Sequence, residues 1–189
     1  MMDKKQQLIE TAFSLFYRHG IHAVGINSIL KQANVAKKTL YSYFDSKESL
    51  VNAVLAYRDD SFIDWLAARM QEQRAGKAAL LAMFDALDDW FNDRVESLAP
   101  FNGCLFINTC SEYGDPATPQ HQQCHQHKLR VRALIQQQVE ALHLKTDKNY
   151  LVDMLAMLKE GAIVTAQVQG DRQAALKARQ LAESLLEKA

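Results

Sequence analysis

Turn chemistry is scarce in this chain: its 189 residues include only 7 glycines and 3 prolines. So few backbone breakers exclude a barrel or sandwich of many short strands and favour long helices. Cysteine is scarce too, and its count of three is odd, so no disulfide framework is expected. No apolar run approaches the roughly 18 residues that a membrane-spanning helix requires. The opening MMDKKQQLIE lacks the apolar core of a secretory signal. The expectation is a cytoplasmic protein with no membrane partner. Catalytic patterns are missing as well. Ser, His and Asp all occur, but in no nucleophile, metal-hydrolase or phosphate-cradling motif, and Glu112 and Asp115 form no acid–base pair. No enzyme activity and no cofactor are expected. Net charge is zero, with 22 basic against 22 acidic side chains. What the chain does have is a hydrophobic content of 48%, enough to bury a core rather than remain disordered.

The charge is unevenly spread. Residues 1–50 carry seven Lys and Arg against four Asp and Glu, a net of +3, and the remainder carries the opposite, 15 against 18. A basic head on an acidic body orients toward phosphate. Within that head, NSILKQANVAKKTLYSYF at residues 27–44 reads as a helix, a tight turn and a second short helix. Ile26, Ile29, Leu30 and Ala33 fall at helical period on one face. Asn34 tolerates a left-handed backbone and can stop that helix, and Val35 plugs the junction. In the second helix Leu40 and Phe44 face inward. Lys37, Lys38, Thr39, Tyr41 and Ser42 then point outward, giving two cations, a phenol and hydroxyls on a helix of about two turns. The major groove of DNA accepts such a helix. Lys4 and Lys5, at the start of a first helix over residues 3–19 that Gly20 ends, are free to reach phosphate.

The run Ala33 to Leu50, ANVAKKTLYSYFDSKESL, resembles the DNA-binding motif of the TetR family of transcriptional regulators, whose pattern is close to A-G-V-S-K-G-T-L-Y-x-Y-F-x-S-K-E-x-L. The resemblance covers about the first 55 residues. It implies that Tyr43 and Lys47 contact the DNA backbone. The chain departs from the family at several points. Val24 and Gly25 stand where Ser or Thr usually caps the second helix, Ala36 replaces a common Ser, and Lys38 replaces a common Gly. Lys38 adds a long donor able to read a guanine edge or to bind phosphate.

The expected architecture is all-α with about nine helices: a three-helix helix-turn-helix head at residues 1–46 and a larger ligand-binding and dimerisation body at residues 47–189. Beyond the head, the periodicity predicts helices over residues 47–73, 77–97, 119–142, 147–169 and 172–187, with Ser46 capping the first of them. Gly103-Cys104-Leu105 resembles a stretch that in some TetR-family regulators begins a central helix beside the ligand cavity. By that resemblance, Phe62, Trp65, Phe84, Phe91, Cys104, Phe106, Asn108 and Tyr113 are candidates to line a pocket for a small apolar or aromatic effector. The helix over residues 147–169 carries the small residues Gly161, Ala162 and Ala166, and the resemblance implies that the last two helices pair with a second copy as a homodimer. A palindromic DNA operator and release by effector complete the expected repressor.

Two chemical alternatives bear on the body. On one helix face His121, Cys124 and His125 converge, but the next position on that face is Lys128, which repels a cation, and no metal is expected. Cys104 begins a helix, and a helix N-terminus lowers a thiol pKa, so a redox- or electrophile-sensing regulator acting through Cys104, or through Cys110 nearby, is the alternative function. A purely protein-binding helical adaptor is the third class, and the cationic face of Lys37 and Lys38 argues against it.

Overall fold

The computed structural model describes residues 3–143 and 147–188 of the chain. Among these residues there are nine helices and no strand: α1 (Lys4–His19), α2 (Ile26–Ala33), α3 (Lys37–Tyr43), α4 (Lys47–Gln71), α5 (Lys77–Phe91), α6 (Leu105–Glu112), α7 (Pro119–Glu140), α8 (Lys148–Gln169) and α9 (Ala174–Lys188). No described helix is long and apolar enough to cross a membrane.

The helix starts follow from local chemistry. Asp3 caps α1, its carboxylate accepting from the Lys5 N–H at 3.3 Å. Gly20, at φ 87°, ends α1 and donates its N–H to the Phe16 carbonyl. Ser46 and Ser49 open α4 reciprocally, each hydroxyl oxygen 3.1 Å from the other residue's N–H. That is a capping box closed by serine in place of glutamate.

The expected helix over residues 77–97 stops early, at Phe91. The side-chain amide of Asn92 turns back to donate to the Asp88 carbonyl at 2.8 Å. Asp93 then adopts a left-handed φ of 58°, and the Arg94 guanidinium bonds both Asp88 and Asp89. These polar contacts outcompete continued helix beyond Phe91. The expected helix over 47–73 ends at Gln71, and that over 119–142 ends at Glu140. α9 begins at Ala174 rather than at residue 172, because Asp171 spends its carboxylate capping the turn at the Gln173 N–H, 3.0 Å away.

The helices gather into two compact units. One holds the residues up to Asp60 together with Cys104–His127, and the other holds Ser61–Gly103 with the described residues from Lys128 onward. In the first unit the core is built by Leu8, Ala12 and Phe16 of α1, Ile29 and Ala33 of α2, Leu40 of α3, Phe44, and Leu50, Val51 and Val54 of α4, all buried. In the second, α9 packs on both α5 and α8. The small Ala174, Ala175, Ala178 and Ala182 let it lie close. An aromatic group of Phe62, Trp65, Trp90, Phe91 and Phe101 fills the same unit, with Trp90 4.9 Å from Phe101 edge-on and Phe62 5.2 Å from Trp90.

Candidate nucleic-acid interface

The junction between α2 and α3 is set by a single residue. Asn34 takes φ 49° and ψ 48°, the left-handed region, and its N–H reaches the Leu30 and Lys31 carbonyls. The Val35 N–H donates to the Leu30 carbonyl at 3.2 Å, completing the six-to-one bond of a Schellman-type stop. Three residues after α2 ends, α3 begins. Gly25 stands at the N-cap of α2 and Ala36 at that of α3, and neither makes a side-chain cap hydrogen bond. Tertiary anchors do the work instead. The Gln7 side-chain amide of α1 donates to the Ala33 carbonyl at 2.9 Å, and Leu40 is wholly buried.

With Leu40 and Phe44 held inside, the rest of α3 is turned out. Lys37, Lys38, Tyr41 and Ser42 are exposed and Thr39 is half-buried. Lys37 Nζ lies 5.9 Å from the centre of the Tyr41 ring. The Ser42 hydroxyl donates to the Thr39 carbonyl at 2.7 Å, so it presents a lone pair outward more readily than a proton. The face therefore offers ammonium and phenol donors around one anchored leucine, and it can hydrogen-bond base edges and phosphates.

The four residues assigned to phosphate divide. Lys4 and Lys5 are exposed at the start of α1, Lys4 donating to Gln7 at 3.0 Å. Tyr43 is 43% exposed with its ring 6.5 Å from Phe44. Lys47 is half-buried. Its Nζ donates to the Ile21 carbonyl at 2.6 Å and sits 5.9 Å from the Phe16 ring centre, so it ties the start of α4 to the α1–α2 turn.

Residues 8–54 match the family model for bacterial regulatory proteins of the tetR family, and residues 76–182 match that for the Tetracyclin repressor-like C-terminal domain. The chain belongs to the TetR family. This is a family of helix-turn-helix, DNA-binding transcriptional regulators rather than of enzymes. Among its relatives, the HTH-type transcriptional repressor ComR of Escherichia coli is 26% identical over 170 residues, covering 84% of this chain and 77% of ComR. Among solved structures, the TetR-family regulator SCO4454 of Streptomyces coelicolor superposes with a TM-score of 0.83 at 28% identity, covering 97% of this chain and 94% of that one. The fold is also shared with the regulator FadR of Bacillus subtilis, solved in complex with stearoyl-CoA, at a TM-score of 0.73 and 18% identity over 97% of this chain and 98% of that one.

The eight effector-pocket candidates of this TetR-family chain fall four to each unit. In the second unit Phe84 and Phe91 have no exposed surface and Phe62 is buried, while Trp65 is half-buried with its ring 5.3 Å from that of Phe62. Beside them lies Lys159, a residue that periodicity did not flag, 1% exposed and with Nζ 5.8 Å from the centre of Phe62. Glu160 bridges two ammoniums, at 2.8 Å from Lys159 and 2.6 Å from Lys128. Burial alone would raise the Glu160 carboxyl, but the two lysines overcome that and hold it down to about 2. An open groove of about 460 Å³ between α8 and α9 is lined by Met154, Met157, Gly161, Ala178 and their neighbours and by none of the eight.

In the first unit Cys104 and Phe106 are buried and Asn108 and Tyr113 are half-buried. Phe106 stacks on His127 with centres 3.6 Å apart and planes at 12°, and His127 Nδ1 lies 2.7 Å from Asp59 Oδ1. Arg58, another buried charge that the sequence did not signal, lies over the rings of Phe13 and Tyr17 at 5.5 and 5.7 Å. Burial pulls its guanidinium below the ordinary value, opposed by Tyr17, Cys104 and Tyr57.

All three cysteines are free thiols. Among the described residues no group of three or more His, Cys, Asp and Glu is placed to hold a metal ion. His121 instead puts Nδ1 2.9 Å from the Tyr113 carbonyl, Cys124 is buried, and His125 is exposed. Asp115 and Glu112 also part company. Asp115 turns the loop by accepting from the Ala117 N–H at 2.9 Å. Glu112 reaches across to the α1–α2 turn, accepting from the Ile21 and His22 N–H groups at 2.7 and 2.6 Å. Nothing local in the sequence announces a contact that spans 91 residues.

Proposed function

We propose that this protein is a homodimeric repressor that binds a palindromic operator and releases it on taking up a small apolar or aromatic effector. The observation that carries the reading is the outward display of Lys37, Lys38, Tyr41 and Ser42 around a single buried Leu40. In this reading residues 1–46 are the DNA-binding head and residues 47–189 the effector-binding and dimerisation body. Lys37, Lys38, Thr39, Tyr41 and Ser42 read the groove. Lys4, Lys5 and Tyr43 hold phosphate, and Lys47 joins them by exchanging the Ile21 carbonyl for a phosphate oxygen. The repressor name of ComR supports the direction of control, and stearoyl-CoA in FadR supports an effector with an apolar part. The protein works in the cytoplasm, where its operator is.

Dimerisation through α8 and α9 is supported by what those helices leave uncovered. Met157 is 63%, Val168 76% and Leu181 56% exposed, beside a groove lined with Gly161, Ala162, Ala174 and Ala178. Side chains that large and apolar gain by burial against a second copy, and the small residues allow its backbone close. A dimer places two α3 helices on one duplex only if they lie about 34–36 Å apart, or a multiple of that. Effector that prefers a different spacing releases the operator by mass action.

The test is selection from a random duplex library by the purified protein. A palindrome should be enriched. A folded protein that enriches nothing at low salt, with no co-purified small molecule found by mass spectrometry, would sink the reading. A second reading is control through oxidation or alkylation of Cys104, which stands at the N-cap position of α6. It requires that Cys104→Ser abolish release of the operator by an oxidant.

A further inference from the structure

Glu112 is the last residue of α6, and its carboxylate is spent on the DNA-binding head. One oxygen accepts from the Ile21 N–H and the other from the His22 N–H, at 2.7 and 2.6 Å. His22 Nδ1 is 3.6 Å from the second oxygen, and the His22 ring lies 5.0 Å from that of Tyr113. Gly20, at φ 87°, makes the turn that presents these amides, and a side chain there would begin 3.4 Å from the carboxylate. Hydrogen bonds to an ionised acceptor are about twice as strong as neutral ones, and main-chain donors cannot swing away as side chains do. On its other side the Ile21 peptide is held by Lys47 of α4.

The opposite end of α6 is gripped equally firmly, by Phe106 stacked on His127 and His127 bonded to Asp59. An eight-residue helix is about 12 Å long, little more than two turns, so its two ends are closely linked. Displacement of its first turn is therefore passed to the α1–α2 turn through Glu112, with the Tyr113 ring beside His22.

We propose that Glu112 is a positioning residue that couples α6 to the DNA-binding head, so that displacement at Cys104–Phe106 is felt at the operator. The assignment rests on the regulator reading above and names the contact through which that control passes.

The test is a double-substitution cycle on the full chain, with the duplex recovered by selection as probe. Phe106→Leu perturbs the first turn of α6 without removing its apolar anchor. Glu112→Gln keeps the shape but sets a donor against one of the two amides. Phe106→Leu alone should change operator Kd at least tenfold, and less than twofold once Glu112→Gln is present. Amide exchange at Ile21 and His22 should quicken at least tenfold in Glu112→Gln. Glu112→Asp, with its charge kept and its reach shortened, should fall between and serves where the first variant folds poorly. Equal effects of Phe106→Leu in both backgrounds, no effect of Phe106→Leu in the wild type, or unchanged exchange at the two amides would each overturn the proposal. If the wild-type protein selects no duplex, the regulator reading itself fails, and the coupling falls with it.

Discussion

Two surfaces of this molecule break the ordinary pattern of a polar exterior, and they break it in opposite ways. The outer face of α3 concentrates cations and hydroxyls on a helix of seven residues. The outer faces of α8 and α9 leave Met157, Val164, Val168, Leu176 and Leu181 in water. The first surface is comfortable in solvent, and its partner must offer negative charge to be preferred over water. The second is uncomfortable in solvent, and its partner must be apolar and closely fitting. Partner chemistry is thus legible from what each face would gain on being covered.

Introducing charge on the apolar face should produce the largest effect. In the proposed dimer, Leu181→Glu would bury a carboxylate against the second copy, and the dimer dissociation constant should rise at least 100-fold, about 2.7 kcal/mol. Sedimentation velocity would read this, and operator affinity should collapse with it while helicity is kept. A chain that stays dimeric with Leu181→Glu would move the interface elsewhere. Removing charge from the polar face should act more mildly. Lys37→Ala or Tyr41→Ala should each weaken operator binding by about 1–3 kcal/mol with dimer and fold intact, measured by fluorescence anisotropy at fixed salt. Loss of folding in either would place these side chains inside rather than outside. Ser42→Ala should change affinity least, within about threefold, because its hydroxyl proton already goes to the Thr39 carbonyl.

The head was legible because its determinants are close in the chain. Asn34 as the helix stop, Leu40 as the inward anchor and Ser46 as the cap of α4 all act within a few residues of themselves, and the structure has each where the sequence put it. Errors gather where polar side chains decide, whether near in the chain or far along it. α5 stops at Phe91 because Arg94 and Asp93 draw the chain aside, a contest that apolar spacing does not register. Lys47, Arg58, Glu112 and Lys159 are ionisable residues with partners far along the chain, in the α1–α2 turn for Lys47 and Glu112 and on other helices for Arg58 and Lys159. Their periodicity could not tell a solvated charge from one engaged in the interior.

Only one of the seven residues of α3 is buried. Within α3 the packing therefore leans on Leu40, while the side chains proposed to meet DNA carry little structural load. For descent this means that target choice and foldability are stored at different positions. On the proposed function, a lineage could exchange Lys37, Lys38 or Tyr41 singly and drift to a new operator without passing through an unfolded head. Duplicated copies would then part in what they read long before they part in shape.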